Sequence, residues 1–198
     1  MGTSLATWQY WINGYIQPKL ALLCVAAALV GSPIGAEIAL RIDADIFKLL
    51  MLVILPVTAF YVLKKKDIGK DAGQLSFRKT AIISMAAALV VGMYDGFYGP
   101  GTGTFLMLLL TGAAKLDIYK AAGTTKAINL TTNIGSLVIY LLNGKVFILL
   151  GLAAGIFNMA GNFLGARFFR DKGGDVVRPI ILVVLVIFFI KIMIEMVG

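Results

Sequence analysis

Apolar stretches of about twenty residues, divided by short polar runs, decide what this chain can fold into. A helix of about 20 apolar residues crosses the hydrocarbon core of a bilayer. Five stretches have this character: about Leu20–Leu40, Ile46–Leu63, Ala121–Leu142, Val146–Phe169 and Val176–Val197. Two shorter ones, Thr80–Met93 and Phe105–Ala114, flank a glycine-rich interruption. Lys191 and Glu195 interrupt the last stretch and fit a helix end emerging at the interface, with the lysine snorkelling. Only 14% of the 198 residues are charged, against about 25% in a soluble domain. The expected fold is all-α: a polytopic integral membrane helical bundle.

The net charge of +8 comes from 18 Lys and Arg against 10 Asp and Glu. The basic residues cluster at the ends of apolar segments, where they orient the chain and meet anionic headgroups. No basic patch interleaved with aromatics suggests nucleic acid. Lys64–Lys79 and the segment from Arg167 to Arg178 read as cytoplasmic loops. There is no histidine and one cysteine, Cys24, in an apolar run where it packs. An internal disulfide is excluded, and thiolate or imidazole metal sites and histidine catalysis are disfavoured. The lack of paired acids adds to the case against an enzyme. No cofactor and no metal is called for, and no phosphate-binding Gly-x-x-x-x-Gly-Lys-Ser/Thr motif supports ATP-driven pumping. Residues 1–16 carry no Lys or Arg and do not read as a signal peptide.

The chain resembles itself at an offset of 130 residues. Tyr10 falls on Tyr140, Asn13-Gly14 on Asn143-Gly144, Gly31 on Gly161, Gly35-Ala36 on Gly165-Ala166, Asp45 on Asp175 and Lys48 on Arg178. The expected organisation is a partial first repeat over 1–66, a basic cytoplasmic loop over 67–79 and a complete second repeat over 80–198. Residues 80–130 have no upstream partner, so the chain reads as a repeat protein without its first quarter. If the loop from Arg41 to Lys48 faces outward, the two copies have inverted topology. Internal duplication is a hallmark of secondary transporters, whose substrate sites lie between the copies.

Residues 94–104, Tyr-Asp-Gly-Phe-Tyr-Gly-Pro-Gly-Thr-Gly-Thr, contain four glycines and a proline. Glycine costs about 1 kcal/mol and proline about 3 relative to alanine in a helix, so a broken or re-entrant helix pair is expected. Non-helical backbone at membrane depth is tolerated only where protein buries it or a wet cavity solvates it. A half-helix starting near Thr102 would aim free N–H groups and a positive dipole end at an anion. Gly99, Gly101, Thr102 and Gly103 are the candidate backbone donors, with Thr104 adding a hydroxyl; the plain alternative is a tight turn without a ligand. Thr124 and Lys126 belong to a second cluster, Gly123-Thr124-Thr125-Lys126. Asn129, Thr132, Asn133 and Ser136 recur at helical spacing after it and share a face turned to the bundle interior. Lys126 would supply positive charge, or else snorkel to the interface; Asn129 and Asn133 would orient substrate, or else bond between helices. Asn158 and Asn162 are weaker candidates of the same kind. Asp95, an acid at membrane depth, is a candidate for proton or cation coupling, or else caps a turn.

Gly96-Phe97-Tyr98-Gly99-Pro100-Gly101-Thr102-Gly103, Ala122-Gly123-Thr124-Thr125-Lys126-Ala127 with Asn129 and Asn133, Asn143-Gly144 and Gly161-Asn162-x-x-Gly165-Ala166 resemble the TauE/SafE-like sulfite exporter family. The resemblance is densest over 80–195. It implies a multi-pass transporter of the cell membrane, of the bacterial inner-membrane type, with two homologous halves and an association with sulfite, sulfonates and related organic anions. The family usually carries a further glycine-rich membrane segment in the first half, which this chain lacks. The expected partners are the lipid bilayer and a small anionic substrate, with proton coupling and no nucleic acid; a homo-oligomer is compatible with the pattern. The expected activity is secondary transport of a small anion. The competing readings are a passive anion channel and a non-transporting, N-terminally truncated fragment.

Overall fold

The computed structural model describes residues 2–43, 75–99 and 101–172 continuously, with scattered positions between 45 and 60 and between 179 and 194. The basic run 64–74, most of the apolar stretches 46–63 and 176–197, and Pro100 lie outside the described residues, as do Lys191 and Glu195. Every regular element among the described residues is a helix: α1 (Gly2–Ile12), α2 (Pro18–Arg41), α3 (Phe77–Phe97), α4 (Thr102–Gly112), α5 (Ile118–Leu142) and α6 (Ile148–Lys172). Three contain spans long and apolar enough to cross a membrane: Pro18–Arg41, Phe77–Phe97 and Ile148–Gly165. The chain is a polytopic membrane protein. α5 has 25 residues, yet its polar side chains lower its apolarity, as suits a helix surrounded by other helices.

Local signals set the boundaries. Pro18 stands in the first turn of α2, where its missing N–H costs nothing. Asp117 caps α5 by accepting from the Tyr119 and Lys120 amides at 3.1 and 3.0 Å. Pro33 lies inside α2 and removes one helical hydrogen bond.

Small residues make the core. Cys24 and Ala28 of α2, Ala88 of α3, Leu106 and Leu110 of α4 and Ala121 and Ile128 of α5 are fully buried. A Cβ on Gly31 would strike the Leu89 carbonyl, one on Gly35 the Met93 carbonyl and one on Gly96 the Ser32 carbonyl. The backbones of α2 and α3 therefore approach as closely as small-xxx-small faces permit. Gly123 brings α5 equally close to the chain at Tyr15–Ile16, and Gly2 brings α1 onto Asn158 of α6. Ser32 of α2 donates to the Thr132 carbonyl of α5 at 2.8 Å and pairs with the Ser136 hydroxyl at 2.8 Å.

Two turns 130 residues apart share one geometry. α1 ends at Ile12 and α5 at Leu142, while α2 begins at Pro18 and α6 at Ile148. Gly14 has φ +70° and Gly144 φ +65°. The amides of Tyr15 and Lys145 each reach back five residues, to the carbonyls of Tyr10 and Tyr140, both at 3.0 Å. This is a Schellman closure, which needs a left-handed residue that glycine supplies without strain. The environments of the paired glycines differ. Gly31 and Gly35 are filled by α3, whereas Gly161 and Gly165 have no described atom within 4 Å of an added Cβ.

Candidate functional site

The site starts from a helix that continues further than its sequence suggests. α3 runs on through Tyr94, Asp95 and Gly96 and ends at Phe97, where no regular helix was expected. Close packing of Gly96 on the Ser32 backbone offsets the weak helix propensity of glycine. Among the described residues the break is thus confined to Tyr98, Gly99 and Gly101. Tyr98 and Gly99 both donate to the Tyr94 carbonyl, at 2.8 and 3.3 Å, closing α3. Gly99 at φ +92° and Gly101 at φ +85° then turn the chain. Gly101 is the N-cap of α4, which begins at Thr102. The Tyr94 ring holds the break from the side, edge-on to Phe105 with centroids 5.3 Å apart.

α5 lies against this break. Gly103, in the first turn of α4, faces it with no side chain: a Cβ there would lie 3.6 Å from Asn129 Nδ2 and 4.0 Å from Thr125 Cγ2. Three buried polar atoms on α5 have no hydrogen-bond partner: Thr124 Oγ1, Thr125 Oγ1 and Asn129 Oδ1. Thr124 is 0% exposed and Thr125 4%. Unsatisfied buried polar atoms are rare in folded proteins, and an unseen ligand or water is one ordinary cause. In the first turn of α4 the Thr102 amide donates to the Gly99 carbonyl and the Thr104 amide to the Gly101 carbonyl, at 3.1 and 2.8 Å.

Asp95 sits beside the same helix start. Its Oδ1 accepts from the Thr102 hydroxyl at 2.6 Å, and its Oδ2 accepts a short bond from the Thr132 hydroxyl. The carboxylate therefore ties α3, α4 and α5 together. It is half-buried rather than sealed.

The structure divides the candidate residues into two groups. Gly99, Gly101, Thr102, Gly103, Asn129 and Asp95 come together at the break. Lys126 and Asn133 face another way. Lys126 Nζ lies 3.4 Å from Asn162 Oδ1 on α6, and its carbonyl accepts from the Thr7 hydroxyl on α1 at 3.1 Å. Asn133 Nδ2 donates to Thr3 Oγ1 on α1 at 3.0 Å. The shared face expected for Asn129 and Asn133 is wide enough to span two sets of neighbours, because helical positions four apart are rotated by about 40°. Thr124 is buried in neither set of bonds. Thr125 and Thr132 join the first group although neither is among the sequence candidates for substrate contact. The spacing Thr125, Asn129, Thr132, Ser136 is the signal that finds them. Ser32 is visible only through the offset of 130, which places it opposite Asn162.

Known proteins match over the same span. Two relatives are 'Probable membrane transporter protein ORF9' of a Sinorhizobium species, 29% identical over 97% of this chain, and 'Probable membrane transporter protein YfcA' of Escherichia coli K12, 30% identical over 89%. A third, 'Probable membrane transporter protein YdhB' of Bacillus subtilis, is 27% identical over 85%. The matched parts amount to 73%, 65% and 73% of those relatives' own lengths. No solved structure matches the chain. The family model described as sulfite exporter TauE/SafE covers residues 1–192. The chain therefore belongs to the TauE/SafE sulfite exporter family, a family of membrane transporters.

Proposed function

We propose that the chain acts in secondary transport of a small anion of the sulfite, sulfonate or organic-anion class across the cell membrane. One observation carries this reading: at the helix start after the glycine break, Gly103 lets Asn129 Nδ2 and the Thr125 side chain lie against the first turn of α4, and the Thr125 hydroxyl is buried without a partner. The partial positive charge of a helix N-terminus favours an anion. Asn129 Nδ2 and the Thr125 hydroxyl would supply uncharged hydrogen-bond donors to the anion, and the two left-handed glycines keep side chains away from the ligand's path. Lys126, on the α6 side of α5, raises the local potential without touching the ligand. Asn133 holds α1 against α5, and so positions the polar helix. Bound this way, a small oxyanion exchanges hydration for fixed dipoles, the arrangement broken membrane helices use for anionic substrates.

The test is flux of sulfite, methanesulfonate and acetate in proteoliposomes. Gly103→Leu sets a bulky side chain against Asn129 and Thr125 and is expected to lower anion flux by at least about tenfold, a loss of roughly 1.4 kcal/mol of binding. Lys126→Ala is expected to lower it by about threefold to tenfold, with the loss shrinking at high salt. Full flux in both variants would refute the site. Absence of flux from folded wild-type protein would refute the function.

A further inference from the structure

The Thr102 hydroxyl has one proton and more claimants than it can serve. It donates to Asp95 Oδ1 at 2.6 Å and lies 2.5 Å from the Gly99 carbonyl. It is also the hydroxyl on the first residue of α4, the point a bound anion would approach. We infer that Asp95 and the transported anion compete for this helix start, so that the anion binds only when Asp95 is protonated and one proton travels with each monovalent anion. The inference rests on the anion site proposed above.

Charge accounting supports the competition. Among the described residues, no basic side chain bonds to the carboxylate. α4 offers Thr102. α5 offers Thr132, with Asn129, Ser136 and Tyr140 on neighbouring turns, and the Tyr140 hydroxyl donates to the Gly96 carbonyl at 3.1 Å. On α3 itself the neighbours are Tyr94 and Tyr98, and α2 presents Ser32 against the adjoining Gly96. The one lysine on the inner part of α5, Lys126, is directed to Asn162, and Glu37 and Arg41 of α2 pair with each other at an exposed end at 3.4 Å. An ionised Asp95 would therefore stand beside a bound anion with only hydroxyl dipoles to offset the repulsion. Protonation removes that charge and frees the Thr102 hydroxyl to turn toward the anion. After the anion leaves, Asp95 releases the proton to the same compartment and regains both threonine donors. The site thus carries one negative charge in either state, and transport of a monovalent anion is electroneutral.

The experiment uses methanesulfonate, a strong-acid anion whose charge does not change across the neutral range, in proteoliposomes containing the full chain. Uptake is expected to follow an inward proton gradient, to alkalinise the outer medium by one proton per anion, and to ignore a potassium–valinomycin potential. Its apparent affinity is expected to weaken by about tenfold per pH unit once Asp95 ionises. Asp95→Asn, which imitates the protonated acid, is expected to exchange anion at all pH values, to lose proton-driven accumulation and to respond to the potential. Wild-type uptake without proton movement, or undiminished proton-driven accumulation by Asp95→Asn, would overturn the coupling and leave the anion site standing. No uptake of methanesulfonate, sulfite or acetate by folded wild-type protein at any pH would overturn both. The wild-type proton count decides the matter even if Asp95→Asn fails to fold.

Discussion

A threonine hydroxyl without a partner is the residue-scale sign of the site. Thr125 is 4% exposed, and its Oγ1 bonds to nothing. The fold gives this group no partner, so replacing it by an isosteric methyl removes a desolvation cost of about 1–3 kcal/mol. Thr125→Val is therefore expected to leave thermal stability in detergent unchanged or raised, while anion affinity falls by about tenfold. A fall in stability with affinity intact would mean the hydroxyl has a structural partner. Cys24 is the opposite case. It is fully buried within the α2 core and does the packing its apolar neighbours lead one to expect.

At the scale of elements, two nearby glycines make different demands. Gly101 is left-handed at the N-cap of α4. An L side chain there costs about 1–2 kcal/mol, even though its added Cβ would meet only the Phe105 ring at 3.6 Å. Gly103 is helical, and its added Cβ would make ordinary contacts. Gly101→Ala is thus expected to lower the melting temperature. Gly103→Ala is expected to raise it slightly, by the helix preference of alanine over glycine, about 1 kcal/mol. Differential scanning of the two purified variants separates conformational need from spatial need. Equal effects would refute the assignment of the break to Gly99 and Gly101.

The whole molecule is held by helix faces without bulk. Gly31 and Gly35 seat α3, and Gly161 and Gly165, their partners at the 130-residue offset, meet no described neighbour. Gly31→Leu is expected to prevent stable α2–α3 packing, since overpacking costs about 1–3 kcal/mol or more and the obstacle is backbone rather than a movable side chain. Gly161→Leu is expected to be tolerated in this chain. Detergent-solubilised yield and size-exclusion profiles compare the two. A loss at Gly161 matching that at Gly31 would show that the α6 face is occupied in the folded protein.

The sequence by itself determined the solvent, the element type and the place of the break. Twenty-residue apolar runs admit few structures in lipid, because every backbone group needs an internal partner. Gly99, Gly101 and the start of α4 at Thr102 follow from local backbone chemistry, and so does the matching turn at Asn13-Gly14 and Asn143-Gly144. Membership of the family was legible in the same motifs. Tertiary structure alone decided which polar residues meet. Helical periodicity places Asn129 and Asn133 on one broad face, but only the positions of α1, α4 and α6 around α5 send Asn129 to the break and Lys126 and Asn133 away from it. It also carried α3 through Gly96, because the Ser32 backbone presses there, and it set Asp95 between Thr102 and Thr132. Those contacts join residues from 7 to 130 positions apart. Local propensity cannot encode such distances, which arise only when glycine and serine faces let the helix backbones close on one another.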